Sequence, residues 1–206
     1  MLLLLPLAAL ALAGRRAGAS APPVGPWSDD VPPLPIAVGR ASDPDIAPLL
    51  DQMDAQFRAY GVNLNWIDAA EVTLMRETNG YHAIPPRLYW PRMAATIRYG
   101  FQPIRQALGE PIILTSAYRP PDYNQAVGGA SGSRHMFFEA LDMVTERANM
   151  QALLAAQLWL NQGDRLRMGL GVYGNPGAAS NIHIDTGHDQ RAWREAQYWI
   201  NQVRQS

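Results

Sequence analysis

The chain has 206 residues, a formal net charge of −1 and no cysteine. At roughly 150 residues per domain, that length allows one domain plus tails. The absence of a basic surplus excludes nucleic acid as an evident partner. The absence of Cys excludes disulfides, thiolate metal sites and a Cys nucleophile.

Leu2 to Ala13 is an apolar run too short to span a bilayer, and Ala19-Ser20-Ala21 offers small residues for cleavage. Residues 1–21 therefore read as a secretory signal, although Arg15 and Arg16 follow the apolar run instead of preceding it. The expected mature chain has no transmembrane helix and is exported, to the periplasm or beyond. Residues 22–41, with Pro22, Pro23, Pro26, Pro32, Pro33 and Pro35, read as an extended linker of low order. Residues 42–206 read as the folded domain, and a monomer is expected.

Asp43-Pro44 predicts a helix start, with Ile46, Leu50, Met53, Phe57 and Tyr60 on its apolar face and Gly61 at its end. A loop-rich stretch follows, from Val62 to Tyr89. A second helix is predicted from Pro91 to Gly109, carrying Met93, Ile97, Phe101, Ile104 and Leu108 and kinked at Pro103. Four short runs read as strands: 111–118, 140–145, 166–173 and 181–186. Residues 149–161 and 190–203 read as helices. Strands and helices alternate without a βαβ rhythm, which predicts an α+β fold with a small antiparallel sheet packed by helices.

The chain contains four histidines: His82, His135, His183 and His188. In a strand over Asn181–Thr186, Ile182 and Ile184 would enter the core, and His183 and Asp185 would share the opposite face. That polar face is either a solvated sheet surface or a site. Asp142 sits on a small or apolar strand face beside Ala140 and Val144, where an ionised carboxylate needs a strong partner such as a cation. His135 lies seven residues earlier, in a turn-like approach. Two imidazoles and one carboxylate with an open fourth position make a catalytic zinc set, and mixed N/O ligands suit zinc better than calcium or magnesium. By spacing alone, one H-x6-D and a distant H-x-D form a weak pattern.

Several ordered blocks carry more weight. Ser116-Ala117-Tyr118-Arg119-Pro120, Ala126-Val127-Gly128-Gly129, Ser133-Arg134-His135 and Ala140-Leu141-Asp142 stand in sequence. Gly169-Leu170-Gly171-Val172-Tyr173 and Ile182-His183-Ile184-Asp185-Thr186-Gly187 follow them. With Pro103-Ile104-Arg105 to Gly109 upstream, this order resembles the M15 zinc peptidases, which include D-Ala-D-Ala carboxypeptidases and murein endopeptidases. The resemblance runs over roughly residues 62–193. It implies Zn2+ held by His135, Asp142 and His183, on the sheet, and Arg119 at the substrate and the developing oxyanion. It implies Asp185 as the general base or as the orienter of a ligand, and peptidoglycan peptides as substrate.

The chain departs from the family pattern at three positions. Phe138 stands where the family has Gly, which is expected to narrow the cleft or shift the His135 loop. Ala117 replaces a Gly, and Ser180 stands where some members carry an acidic base. Phe138 and Ser180 are the grounds for an alternative, a non-catalytic cell-wall binding domain; an exported dipeptidase is a further one. Ser133 is expected to bond its own loop, and Gly128 and Gly129 to permit a tight turn. His82 and His188 read as exposed loop residues, and Trp193 and Trp199 as helix-packing groups.

Overall fold

The computed structural model describes residues 23–27 and 31–206; the expected signal segment 1–21 lies outside the described residues. Among the described residues no helix is long and apolar enough to cross a membrane.

The N-terminal half is built on three short strands, β1 (Ala37–Arg40), β2 (Leu74–Met75) and β3 (Tyr81–Ile84), in the antiparallel order β1-β3-β2. The Pro-rich stretch thus ends as a paired strand. It is tied to the domain before that as well. Ile36 N–H donates to Ile84 O at 2.7 Å and Trp27 N–H to Gly187 O at 3.1 Å. Pro33 O accepts from the Tyr118 hydroxyl at 2.7 Å. Prolines lack a donor, but the remaining N–H and C=O groups still need partners, and the domain surface supplies them.

Helix α1 (Ala47–Ala59) begins three residues later than the Asp43-Pro44 signal suggests, with Pro48 in its first turn. The Asp43 carboxylate is committed elsewhere, accepting from Arg40 N–H at 2.7 Å. The predicted apolar face is otherwise as read: Ile46, Leu50, Met53 and Phe57 are buried. The loop-rich stretch contains α2 (Ala69–Thr73), capped by Asp68, besides β2 and β3. His82, expected to be exposed, is buried on β3, with Nδ1 3.1 Å from the Thr73 hydroxyl.

The second predicted helix is continuous but not uniform. It runs as α3 (Trp90–Ala95), a π-helical turn over Thr96–Phe101, and α4 (Gln102–Leu108). Pro103 offers no N–H to Tyr99 O, and the wide turn absorbs the missing bond just before it. Gly109 ends α4 in the left-handed conformation.

The C-terminal half holds five strands: β4 (Ile113–Ser116), β5 (Ala140–Val144), β6 (Gly169–Asn175), β7 (Ala178–Asp185) and β8 (Arg191–Arg194). Their order is β4-β5-β7-β6-β8; every pairing is antiparallel except β6 with β8. The fold is α+β, and the larger sheet ends in one parallel edge strand. Leu114, Leu141, Met143, Leu170, Val172, Ile182 and Ile184 fill one face of this sheet. Helix α6 (Ala148–Leu166) and the π-helical turn cover that face, and α7 (Ala196–Gln205) packs on α6. The short α5 (Pro121–Ala126) lies beyond β4. Residues 190–203, read as one helix, divide into β8 and α7. Arg191-Ala192-Trp193-Arg194 are tolerable helix formers, and pairing with the exposed edge of β6 decides their state.

Phe138 adopts φ 56° and ψ 44°, the left-handed region, and closes the short 3-10 turn Arg134–Phe137. This explains the glycine expected there. Its ring does not enter a cleft. It is fully buried and meets Tyr118 edge-on, with ring centroids 5.5 Å apart. Truncating a buried Phe costs about 3–5 kcal/mol, and left-handed backbone costs a non-Gly residue about 1–2 kcal/mol. Phe138→Ala and Phe138→Gly are therefore both expected to destabilise the fold in urea unfolding. The Gly variant should be the more stable of the two, by about 1 kcal/mol.

Candidate metal centre

Strand parity builds the centre. On β7, Ile182 and Ile184 point into the core, so His183 and Asp185 share the other face; on β5, Asp142 faces the same way between Leu141 and Met143. The register sets Asp142 directly opposite His183. The 3-10 turn ahead of β5 brings in His135. One nitrogen of each imidazole and the Asp142 carboxylate lie within 4.8 Å of one another, a candidate metal site.

The donor atoms lie close enough together to share one ion. His135 Nε2 is 3.2 Å from His183 Nδ1 and 3.1 Å from Asp142 Oδ2. His183 Nδ1 is 2.7 Å from Asp142 Oδ1. Bonds of about 2 Å at tetrahedral angles separate ligand atoms by about 3.3 Å. The outward nitrogens are also engaged as metal ligands require. His135 Nδ1–H donates to Ala117 O at 2.6 Å, and His183 Nε2–H to Asp185 Oδ2 at 3.0 Å. Each outward bond fixes a tautomer that leaves a bare lone pair facing the centre. Two lone pairs and a carboxylate cannot face one another in a buried site without a cation or a proton between them.

The electrostatics identify where that proton sits in metal-free protein. Burial works against charge on His183, but its hydrogen bonds to Asp142 and Asp185 outweigh burial and raise its pKa to about 9. Burial lowers His135 despite Asp142 beside it. Burial also opposes the Asp142 charge, yet the two imidazoles hold its carboxyl well below the usual range. His183 thus carries a proton that an ion must displace.

Asp185 is fully buried behind His183. Arg191 Nη2 donates to its Oδ2 at 2.8 Å. Gly169 lies beneath it, where a Cβ would overlap the carboxylate. This position matches that of an orienter and gives Asp185 no solvent-open side from which to reach a water at the centre. Arg119 stands at the rim, donating through Nη2 to Asp142 Oδ2 at 2.7 Å and through Nε to Ser116 Oγ at 2.7 Å. Ser180 is exposed, in the outer half of β7 that precedes the buried residues 182–185.

Further residues frame the site that the sequence reading passed over. Glu139 is fully buried, 2.6 Å from His188 Nε2, 3.2 Å from Arg92 and 3.5 Å from Arg134. His188, expected to be exposed, is therefore buried and bound, because the loop after β7 folds back onto Glu139. Trp193, expected to pack a helix, lies on β8 with its indole 5.0 Å from the His183 ring, whereas Trp199 does pack α7 into the core. The alternating glycines of β6 were the available signal, since bare strand positions leave room for large neighbours. Gly171 lies under Trp193: a Cβ there would come within 2.7 Å of the indole.

The proton on His183 sets a pH dependence. In the metal-free protein its stabilising effect is complete below pH 6.5 and is lost as pH rises through about 9. Calorimetric titration with Zn2+ at pH 7, in buffers of different ionisation enthalpy, is expected to show release of about one proton per ion. Release should fall away as pH passes about 9.

Comparison with known proteins agrees with this geometry. The Peptidase M15 family matches residues 66–185, a span that contains His135, Asp142, His183 and Asp185. The zinc D-Ala-D-Ala carboxypeptidase of Streptomyces albus G is 35% identical over 101 residues. That alignment covers 48% of this chain and 37% of the relative, so the chain spans under two-fifths of the relative's length. A match over more than half of the chain, containing the residues that converge here, shows that the protein belongs to the M15 peptidase family.

Proposed function

We propose that this protein is an exported zinc metallopeptidase that hydrolyses peptidoglycan stem peptides or their cross-links, as a D,D-carboxypeptidase or a murein endopeptidase. The observation that carries the reading is the convergence of one nitrogen from each imidazole and the Asp142 carboxylate within 4.8 Å of one another, with both outward imidazole N–H groups already bonded. The similarity to a zinc D-Ala-D-Ala carboxypeptidase supports the substrate class.

His135 through Nε2, His183 through Nδ1 and Asp142 would hold the ion. Bound zinc supplies a Lewis acid that lowers the pKa of a water ligand to about 7 and polarises a carbonyl. The protein's own groups do the rest. Asp185, held by Arg191, fixes the His183 tautomer and strengthens it as a ligand. Asp185 is thereby a positioning residue in this reading, and the general-base role is set aside because the carboxylate is sealed behind the imidazole. Arg119 presents a fork at the rim, suited to a substrate carboxylate or tetrahedral oxygen, and Ser116 holds its Nε so that Nη2 aims at the centre. The Phe138 ring, one ground for a non-catalytic binding domain, is turned into the core and leaves the site clear.

Incubation of the zinc-loaded protein with purified muropeptides, followed by mass spectrometry, tests this. The expected product is either loss of a terminal D-Ala or division of cross-linked dimers, abolished in His135→Ala. Intact muropeptides beside stoichiometric bound zinc would sink the peptidase reading. Asp185→Asn separates the two roles of that residue. As a positioning group its loss should weaken zinc binding about 10- to 100-fold; a base would instead lower kcat with zinc affinity unchanged.

A further inference from the structure

The register of the larger sheet aligns one residue from each of its five strands. Ser116 stands opposite Asp142, Asp142 opposite His183, His183 opposite Gly171, and Gly171 opposite Trp193. This row crosses the polar face of the whole sheet, with the metal ligands at its middle. Four inter-strand steps of about 4.8 Å make it about 19 Å long. An extended peptide of five or six residues has that length.

One end of the row carries Arg119, bonded to Ser116 and Asp142. The other end carries Trp193. Its indole lies over bare Gly171 and reaches the His183 ring, with centroids 5.0 Å apart and planes at 60°. Arg191, itself bonded to Asp185, stacks 5.4 Å from the indole centroid and holds the ring in place. Trp193 is only partly buried, and its N–H donates to no acceptor among the described residues.

Two uses of such a ring are physically distinct. As a buttress it would add restraint to His183, but that imidazole is already held by Asp185 through Nε2 and would be held by the ion through Nδ1. As a wall of the groove it would offer an unspent donor at a fixed position beside the reacting centre. We propose that Trp193 is a substrate-contacting residue whose indole N–H donates to a main-chain carbonyl of the peptide, on the side of the scissile bond away from Arg119. The proposal deepens the peptidase reading and rests on it for the identity of the ligand as a peptide.

The test uses uniformly 15N-labelled, zinc-loaded protein and a blocked Lys-D-Ala-D-Ala tripeptide whose scissile amide is N-methylated to resist hydrolysis. The indole resonance absent from Trp193→Phe identifies Trp193. That resonance is expected to move progressively as the tripeptide is added, and one that stays in place at every concentration overturns the proposal. In parallel, Trp193→Phe should raise KM for the unmethylated tripeptide roughly fivefold, as for one lost neutral hydrogen bond. Its kcat and zinc affinity should stay within about twofold, since a phenyl ring keeps an aromatic face beside His183. Zinc binding weakened tenfold with KM unchanged would make Trp193 a support for His183 alone and overturn the proposal. Movement of the indole resonance without cleavage by the wild-type protein would count against the peptidase reading and leave this inference standing.

Discussion

The direct opposition of Asp142 and His183 across β5 and β7 is the interaction on which the rest of the site depends. A buried carboxylate beside a buried imidazole is unfavourable unless charge is balanced between them. The sheet imposes that proximity through backbone hydrogen bonds, which hold it whether a proton or a metal ion supplies the balance. His135 and Arg119 then complete the surroundings of one carboxylate: imidazole and guanidinium both reach Asp142 Oδ2, and His183 takes Oδ1.

The bare positions of β6 follow from the same arrangement. Gly169 and Gly171 face the site side of the sheet, between β7 and β8. Without a side chain at 169, the Asp185 carboxylate settles against the strand and can be reached by Arg191; without one at 171, the Trp193 indole spans the strand to His183. The glycines are thus space for two larger groups, and their conformational freedom is secondary. Leu170 and Val172, between them, remain ordinary core residues.

The loops that carry the site are braced from the helical side. The π-helical turn begins at Thr96, whose hydroxyl donates to Glu139 O at 2.8 Å and lies 2.9 Å from the Thr186 hydroxyl. Glu139 follows the His135 turn, and Thr186 follows Asp185. A single residue of the helix therefore joins the two segments that must stay in register for the centre to form. Trp27 adds a clamp from the Pro-rich stretch, its indole N–H donating to Thr186 O at 3.1 Å and its ring occupying the space above Gly187. Arg92 links these features, pairing with Glu139 and stacking over Trp27 at 5.3 Å.

The set of His135, Asp142 and His183 rested on the ordered blocks that resemble the M15 peptidases, whereas the residues alone determined the α+β class, most of the strands and helices, and the shared face of His183 and Asp185. They could do so because strand parity is a local property: once Ile182 and Ile184 are assigned to the core, His183 and Asp185 must share the opposite face. Tertiary structure alone decided what each group does there. Which nitrogen of each imidazole faces the centre depends on Ala117 O and Asp185, and the burial of His188 depends on Glu139, far away in the chain. The state of 191–194 depended on an open edge of β6, and the direction of the Phe138 ring on a backbone sign that residue type does not encode. Hydrogen-bond partners and sheet edges are relations between distant segments, and local patterns of apolar and polar residues carry no record of them.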